Sequence, residues 1–168
     1  MSIGTLVSVK EYLAASYDPD CDYVDGQVLE RNLGEYDHGK MQKKLILYFG
    51  NREAQLGIHV VPEQRVQVTS TRFRVPDVCV VAGPEPDEQI FHRPPLICIE
   101  ILSKDDTMTQ MQERIDDYLK FGVPHVWVID PRLRRAWQFT LTGMQEAKDG
   151  VLRTENPGIS VPLAELFD

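Results

Sequence analysis

Two stretches of this chain are patterned as strands buried on both faces, and each carries a single acid. Arg74-Val75-Pro76-Asp77-Val78-Cys79-Val80-Val81 and Pro95-Leu96-Ile97-Cys98-Ile99-Glu100-Ile101-Leu102 are rich in Val and Ile and bounded by Pro and Gly. Strands of this kind need cover on both sides, which calls for helices flanking the sheet they join. A carboxylate inside such a strand costs several kcal/mol unless it is paired, protonated or bound to a metal. Two carboxylates on consecutive strands can share one cation. The pattern therefore points to a hard metal ion and to phosphate chemistry.

A chain of 168 residues is long enough for a substantial core and is expected to form one domain over residues 1–168. No apolar run reaches the length of a membrane span, and Met1-Ser2-Ile3-Gly4 lacks the basic start of a targeting segment, so a cytoplasmic protein is expected. Cys21, Cys79 and Cys98 are odd in number and lack metal spacing. They read as small buried hydrophobes. The net charge of −8 argues against a general nucleic-acid coat protein, since neutralising phosphates takes Lys and Arg. It leaves room for a nuclease, because a metal site collects carboxylates and a local basic patch can coexist with them. Lys40-Met41-Gln42-Lys43-Lys44 and Arg132-Leu133-Arg134-Arg135 are candidate patches, although each taken alone reads better as a solvated face.

Along the chain, residues 8–15 read as a short helix capped by Ser8, and residues 21–31 as a hairpin turning at Asp25-Gly26. Residues 35–55 carry the longest helical pattern, with Met41, Leu45, Tyr48 and Phe49 at helical spacing and Gly57 after its end. Strands follow at 58–69 and 75–81, then a Pro-rich acidic loop at 83–93 and a core strand at 96–102. Asp105 or Asp106 caps a helix that runs to about Phe121 and is ended by Gly122 and Pro124. Strands at 125–129, 135–141 and 151–155 and a last short helix that begins at Val161-Pro162-Leu163 complete the order. The expected class is α+β: a mixed sheet core flanked by helices, with an N-terminal hairpin and extra C-terminal antiparallel strands. No glycine-rich loop follows a strand, so nucleotide-cradling motifs are absent.

A Pro-Asp at one strand with an acid on the next, here Asp77 and Glu100, resembles the PD-(D/E)xK nuclease superfamily. More specifically, the chain is similar to the Uma-two family of inferred endonucleases. The matching elements are Tyr23-Val24-Asp25-Gly26-Gln27-Val28, His38 near the start of the long helix, Val75-Pro76-Asp77-Val78 and Glu100-Ile101-Leu102-Ser103. Tyr118, Gly122-Val123-Pro124 and Trp127-Val128-Ile129-Asp130-Pro131 complete the pattern, which spans nearly the whole chain. The resemblance implies a restriction-endonuclease-like fold, Mg2+ or Mn2+ held by Asp77 and Glu100, DNA as substrate and phosphodiester hydrolysis. A homodimer is expected by analogy, since cutting both strands of a duplex needs two sites or one used twice.

The superfamily's lysine is expected two residues after Glu100, where this chain has Leu102. Lys104 is next on the same strand face by alternation. In the Uma-two pattern the lysine lies on the following helix, four residues before the tyrosine, and that position is Arg114. Arginine keeps the charge and can clamp a phosphate, but it is a poor general base. Glu35 and His38 share one helical face and border the site in the resemblance, as a further metal-shell carboxylate and a phosphate or proton contact. For Glu35 a charge favourable to the helix N-terminus serves equally well. Glu63 and Gln64 precede the Asp77 strand, and the side they face is open. Two alternatives stand beside the nuclease: a non-catalytic nucleic-acid-binding or scaffold module, favoured by Leu102 and Arg114, and a phosphodiesterase of small substrates, slightly favoured by the acidic surface.

Overall fold

Alternation along two central strands divides the core into two layers. The computed structural model of the protein describes residues 4–32 and 34–168; Met1-Ser2-Ile3, where the absence of a targeting segment was expected, lies outside the described residues. The elements are α1 Val9–Ala14, β1 Asp22–Val24, β2 Gln27–Leu29, α2 Tyr36–Gly50, α3 Glu53–Leu56, β3 Ile58–Pro62, β4 Val66–Thr69, β5 Arg72–Arg74, β6 Val78–Ala82 and β7 Ile97–Ile101. They continue as α4 Met108–Phe121, β8 His125–Asp130, β9 Arg135–Thr140, β10 Gly143–Glu146, β11 Val151–Arg153, β12 Ser160–Pro162 and α5 Ala164–Phe167.

The main sheet has six strands in the order β10-β9-β8-β7-β6-β3. Only β7 and β8 run parallel, and α4 makes the crossover between them, as a parallel pair requires. Val78, Val80, Ile97, Ile99 and Ile101 face one layer, where Met41, Leu45 and Phe49 of α2 pack with Trp127 and the C-terminal Leu152, Val161 and Leu166. Cys79 and Cys98 face the other, under Met111, Ile115 and Tyr118 of α4. The mixed α+β sheet with helices on both faces agrees with the sequence reading.

Local chemistry explains most boundaries. Ser8 and Glu11 form a reciprocal capping box at α1, with Ser8 N–H donating to Glu11 Oε2 at 2.8 Å. Asp25 and Gly26 both take positive φ, 48° and 96°, as a two-residue hairpin turn needs. Gly122 ends α4 at φ 111°, where a Cβ would also meet Pro94 Cγ at 3.2 Å.

Five expectations are corrected. The last helix, expected to begin at Val161, starts at Ala164, because Ser160–Pro162 pair with β11 as β12. The helix at 35–55 stops at Gly50, and residues 53–56 form a separate turn of helix. The strand at 58–69 is two strands in different sheets, since β3 pairs with β6 while β4 pairs with β5. The cap of α4 is Thr107, whose hydroxyl accepts from Gln110 N–H at 3.2 Å. Asp106 instead accepts from Ser103 N–H at 2.8 Å and from the Asn32 amide at 2.9 Å. Finally, the N-terminal hairpin belongs to a four-stranded sheet, β2-β1-β5-β4, whose short β5 was not expected.

Candidate active site

Register brings the two acids together. Val78 lies opposite Ile99 in the antiparallel pair β6–β7, so Asp77, just before β6, comes beside Glu100. Asp77 Oδ2 accepts from the Ile101 N–H at 2.7 Å, which ties its carboxylate to the residue after Glu100. Both acids are buried, 3% and 2% exposed.

Each acid has its own set of donors. Asp77 Oδ1 accepts from Arg31 Nη2 at 2.6 Å, and Oδ2 also lies 3.2 Å from His38 Nε2. Burial pushes the Asp77 carboxyl up, but the His38 hydrogen bond and charge, Arg31 and the Ile101 N–H outweigh it and leave it below the usual range. Burial favours the neutral His38 ring, yet the Asp77 hydrogen bond and charge raise its pKa. Glu100 shares its face with Cys98 and lies beneath α4. Arg114 and Tyr118, one helical turn apart, both reach it. The Tyr118 hydroxyl donates to Oε1 at 2.6 Å, and Arg114 Nη1 lies 3.7 Å from Oε2. Burial first, then the Asp77 charge, push Glu100 up to about 8 despite Arg114 and Tyr118. The adjacent acids are thus driven apart in pKa, as a pair that resists joint ionisation.

Arg114 is held by three carboxylates. Its Nε is 3.5 Å from Asp22 Oδ2, and its Nη1 is 3.7 Å from Glu100 and 3.8 Å from Asp106. Asp22, 2% exposed on β1, also accepts from Arg74 Nη1 at 3.1 Å and Val75 N–H at 2.9 Å. Arg74 extends the network to Asp117 at 2.7 Å. Although Arg74 is close to Asp77 in sequence, the arginine paired with Asp77 is Arg31.

Of the six residues singled out from sequence, Asp77, Glu100, Arg114 and His38 form one cluster. Lys104 and Glu35 do not join it. They lie 3.9 Å from each other, and among the described residues neither pairs with Asp77 or Glu100. Lys104 is displaced because β7 ends at Ile101 and the alternation stops before it reaches that residue. Glu35 is the N-cap of α2 and makes no side-chain capping bond. Glu63 turns toward the cluster, 4.0 Å from Arg31, whereas Gln64 donates to the carbonyls of Arg65 and Gln89. Sequence reasoning missed Arg31, Asp22 and Asp106. Asp22 carried a usable signal, a charged residue between the apolar Cys21 and Tyr23 of a predicted strand. Arg31 had none.

Asp77 and Glu100 suit a divalent cation that keeps much of its water shell, since Mg2+ is often held by one or two carboxylates. Among the described residues Glu100 Oε2 makes no hydrogen bond, and Glu100 resists ionisation unless a cation compensates its charge. Among the described residues no group of three or more His, Cys, Asp or Glu side chains is arranged as a fuller cage.

A family model described as "Uma2: Putative restriction endonuclease" matches residues 9–165. The chain belongs to the Uma2 family. Its fold is shared with a crystal structure of "a putative nuclease belonging to DUF820" from Anabaena variabilis ATCC 29413. That match has a TM-score of 0.82 at 20% identity and covers 96% of this chain and 97% of the other. A cryo-EM structure of a DrdV–DNA complex matches at a TM-score of 0.39 and 15% identity, over 77% of this chain and 12% of that one. No curated protein matches the sequence significantly. The Uma2 assignment and the restriction-endonuclease-like fold expected from the motifs are therefore confirmed.

Proposed function

We propose that this protein is a divalent-metal-dependent endonuclease that hydrolyses DNA phosphodiester bonds. One observation carries the reading: two buried acids side by side, Asp77 just before β6 and Glu100 on β7, with Arg114 against Glu100 and His38 against Asp77. Membership of the Uma2 family supports it. Asp77 and Glu100 would hold Mg2+ or Mn2+. Such an ion, when bound, lowers the pKa of a water and stabilises charge on phosphoryl oxygens.

The chain's own residues supply the rest. Arg114, kept charged by Glu100, Asp22 and Asp106, offers a fixed positive charge to a phosphate oxygen and cannot act as a base. Tyr118 holds Glu100 Oε1 and leaves Oε2 free to ligate. His38 orients Asp77, and the Asp77 hydrogen bond and charge favour its protonated form. Glu35 and Lys104, paired with each other, take a peripheral role. Lys40 and Lys43, exposed on α2 beyond His38, would meet the DNA backbone. The basic run at 132–135 is partly spent on local pairs, Arg134 with Asp168 and Arg135 with Glu146.

The reading carries three further assignments: a single domain over residues 1–168, action in the cytoplasm and a homodimer. No helix among the described residues is long and apolar enough to cross a membrane. The three free cysteines suit a reducing compartment.

The test is nicking of supercoiled plasmid with Mg2+ or Mn2+, beside single-stranded DNA and a chromogenic phosphodiester. Cleavage lost in Glu100→Ala is expected. A second reading, a DNA-binding scaffold without cleavage, is favoured by the donors already on both Asp77 oxygens. It is adopted if no DNA form is cut with either metal. Hydrolysis of the chromogenic ester alone would assign a small-substrate phosphodiesterase.

A further inference from the structure

Arg31 lies on the segment between β2 and α2, outside any regular element, yet its side chain is 3% exposed. Its Nη2 takes Asp77 Oδ1 at 2.6 Å. Asp77 Oδ2 is held by the Ile101 N–H of β7 and by His38 of α2. The Ile101 donor is a backbone N–H in the sheet and cannot withdraw, and His38 is a buried ring on the same oxygen, so among the described residues Oδ1 depends on Arg31 alone. Arg31 can withdraw, because only side-chain torsions need to turn. Arg114, by contrast, approaches Glu100 no closer than 3.7 Å and makes no hydrogen bond to it.

We propose that Arg31 sets the cation affinity of the site: its guanidinium occupies the Asp77 oxygen that a cation must take, so ion binding and the Arg31–Asp77 pair exclude one another. This inference rests on the metal reading above. Two observations give the displaced guanidinium somewhere to go. Among the described residues Arg31 Nη1 is buried without a hydrogen-bond partner, so the present pose leaves that donor unsatisfied. Glu63 Oε1 lies 4.0 Å from that same nitrogen on a side chain that is 38% exposed. A small rotation would exchange Asp77 for Glu63 and satisfy the orphaned donor. Arg31 then remains beside the site as a cation without blocking it, ready to meet a phosphate oxygen.

Mn2+ binding, read from the electron paramagnetic resonance of the free aqueous ion, tests the proposal on the full chain without DNA. Arg31→Met and Arg31→Gln should bind Mn2+ about tenfold more tightly than wild type, since a competing positive charge is removed. Asp77→Asn should lose binding. In wild type, the Arg31 Nε–Hε resonance of 15N-arginine-labelled protein should move on adding Mg2+ and stay fixed in Asp77→Asn. Equal or weaker Mn2+ binding by the folded Arg31 variants overturns the proposal and leaves the metal reading standing. Absence of Mn2+ binding in every protein overturns both. Should the Arg31 variants fail to fold, the NMR measurement decides, and an Arg31 resonance unmoved at saturating Mg2+ overturns the proposal.

Discussion

Replacing Glu100 by Gln should make the metal-free protein more stable at alkaline pH while leaving it nearly unchanged in mild acid. Glu100 is 2% exposed, and burial and the Asp77 charge raise its pKa from 4.5 to about 8. A carboxyl raised in the folded state stabilises the fold while protonated in both states, and that contribution is lost as pH climbs from the unfolded to the folded value. The window is therefore about pH 4.5 to 8. At roughly 1.4 kcal/mol per pH unit, the loss reaches up to about 5 kcal/mol by its upper end. His38, also raised, loses its contribution as pH rises above 6.5, so it tilts the wild-type curve the same way. Asp77, lowered, contributes above 3.8 and loses stability only below that, outside the window. Both groups remain in Glu100→Gln, so the difference between the two proteins reports Glu100 together with its coupling to Asp77 and His38. The glutamine carbonyl can still accept from Tyr118, and near pH 5 the variants should agree within about 1 kcal/mol. Urea denaturation at half-unit steps from pH 5 to 9, in chelator, measures this. Curves for wild type and Glu100→Gln that stay parallel throughout would refute the burial and like-charge account of Glu100.

Other perturbations follow from the same geometry. Asp77→Asn should destabilise the metal-free protein by about 1–3 kcal/mol in thermal or urea melts, because Arg31 and His38 lose a charged acceptor that Glu63 replaces only for Arg31. This reverses the expectation from clustered carboxylates alone, under which neutralising Asp77 relieves repulsion. Tyr118→Phe removes a hydrogen bond that favours ionised Glu100, so the loss of stability should start at the same pH but extend to higher pH in the same titration. Arg114→Lys should keep weak metal-dependent plasmid cleavage or improve it, and Arg114→Ala should reduce it, as scored by nicking rates. Gly122→Ala should cost about 1 kcal/mol or more in chemical denaturation, from the positive φ and the close approach of Pro94. Sedimentation should show a homodimer across micromolar concentrations, and a 19.2 kDa monomer throughout would reject that assignment.

The sequence by itself determined the elements whose signal is local. Ser8 with Glu11, Asp25-Gly26 and Gly122 are backbone instructions complete within a few residues. The apolar runs around Asp77 and Glu100 announced buried strands, and an acid in such a strand announced a site. Helical spacing placed Arg114 and Tyr118 on one face. What lay beyond it depended on contacts between distant segments. Whether residues 58–69 form one strand or two was decided by which partners they found, β6 for one half and β5 for the other. Lys104 was drawn to the site by alternation, and alternation fails once the strand ends at Ile101. Arg31, 46 positions from Asp77, reaches it only because the hairpin and the long helix bring their connecting segment against the strand ends. The same packing settles which acid keeps its proton. Asp77 and Glu100 are equally buried, but His38, Arg31 and a backbone N–H converge on one, and the other is left with a tyrosine and a more distant arginine. Burial is read from apolar pattern along the chain, whereas charge balance depends on neighbours that only the folded structure supplies.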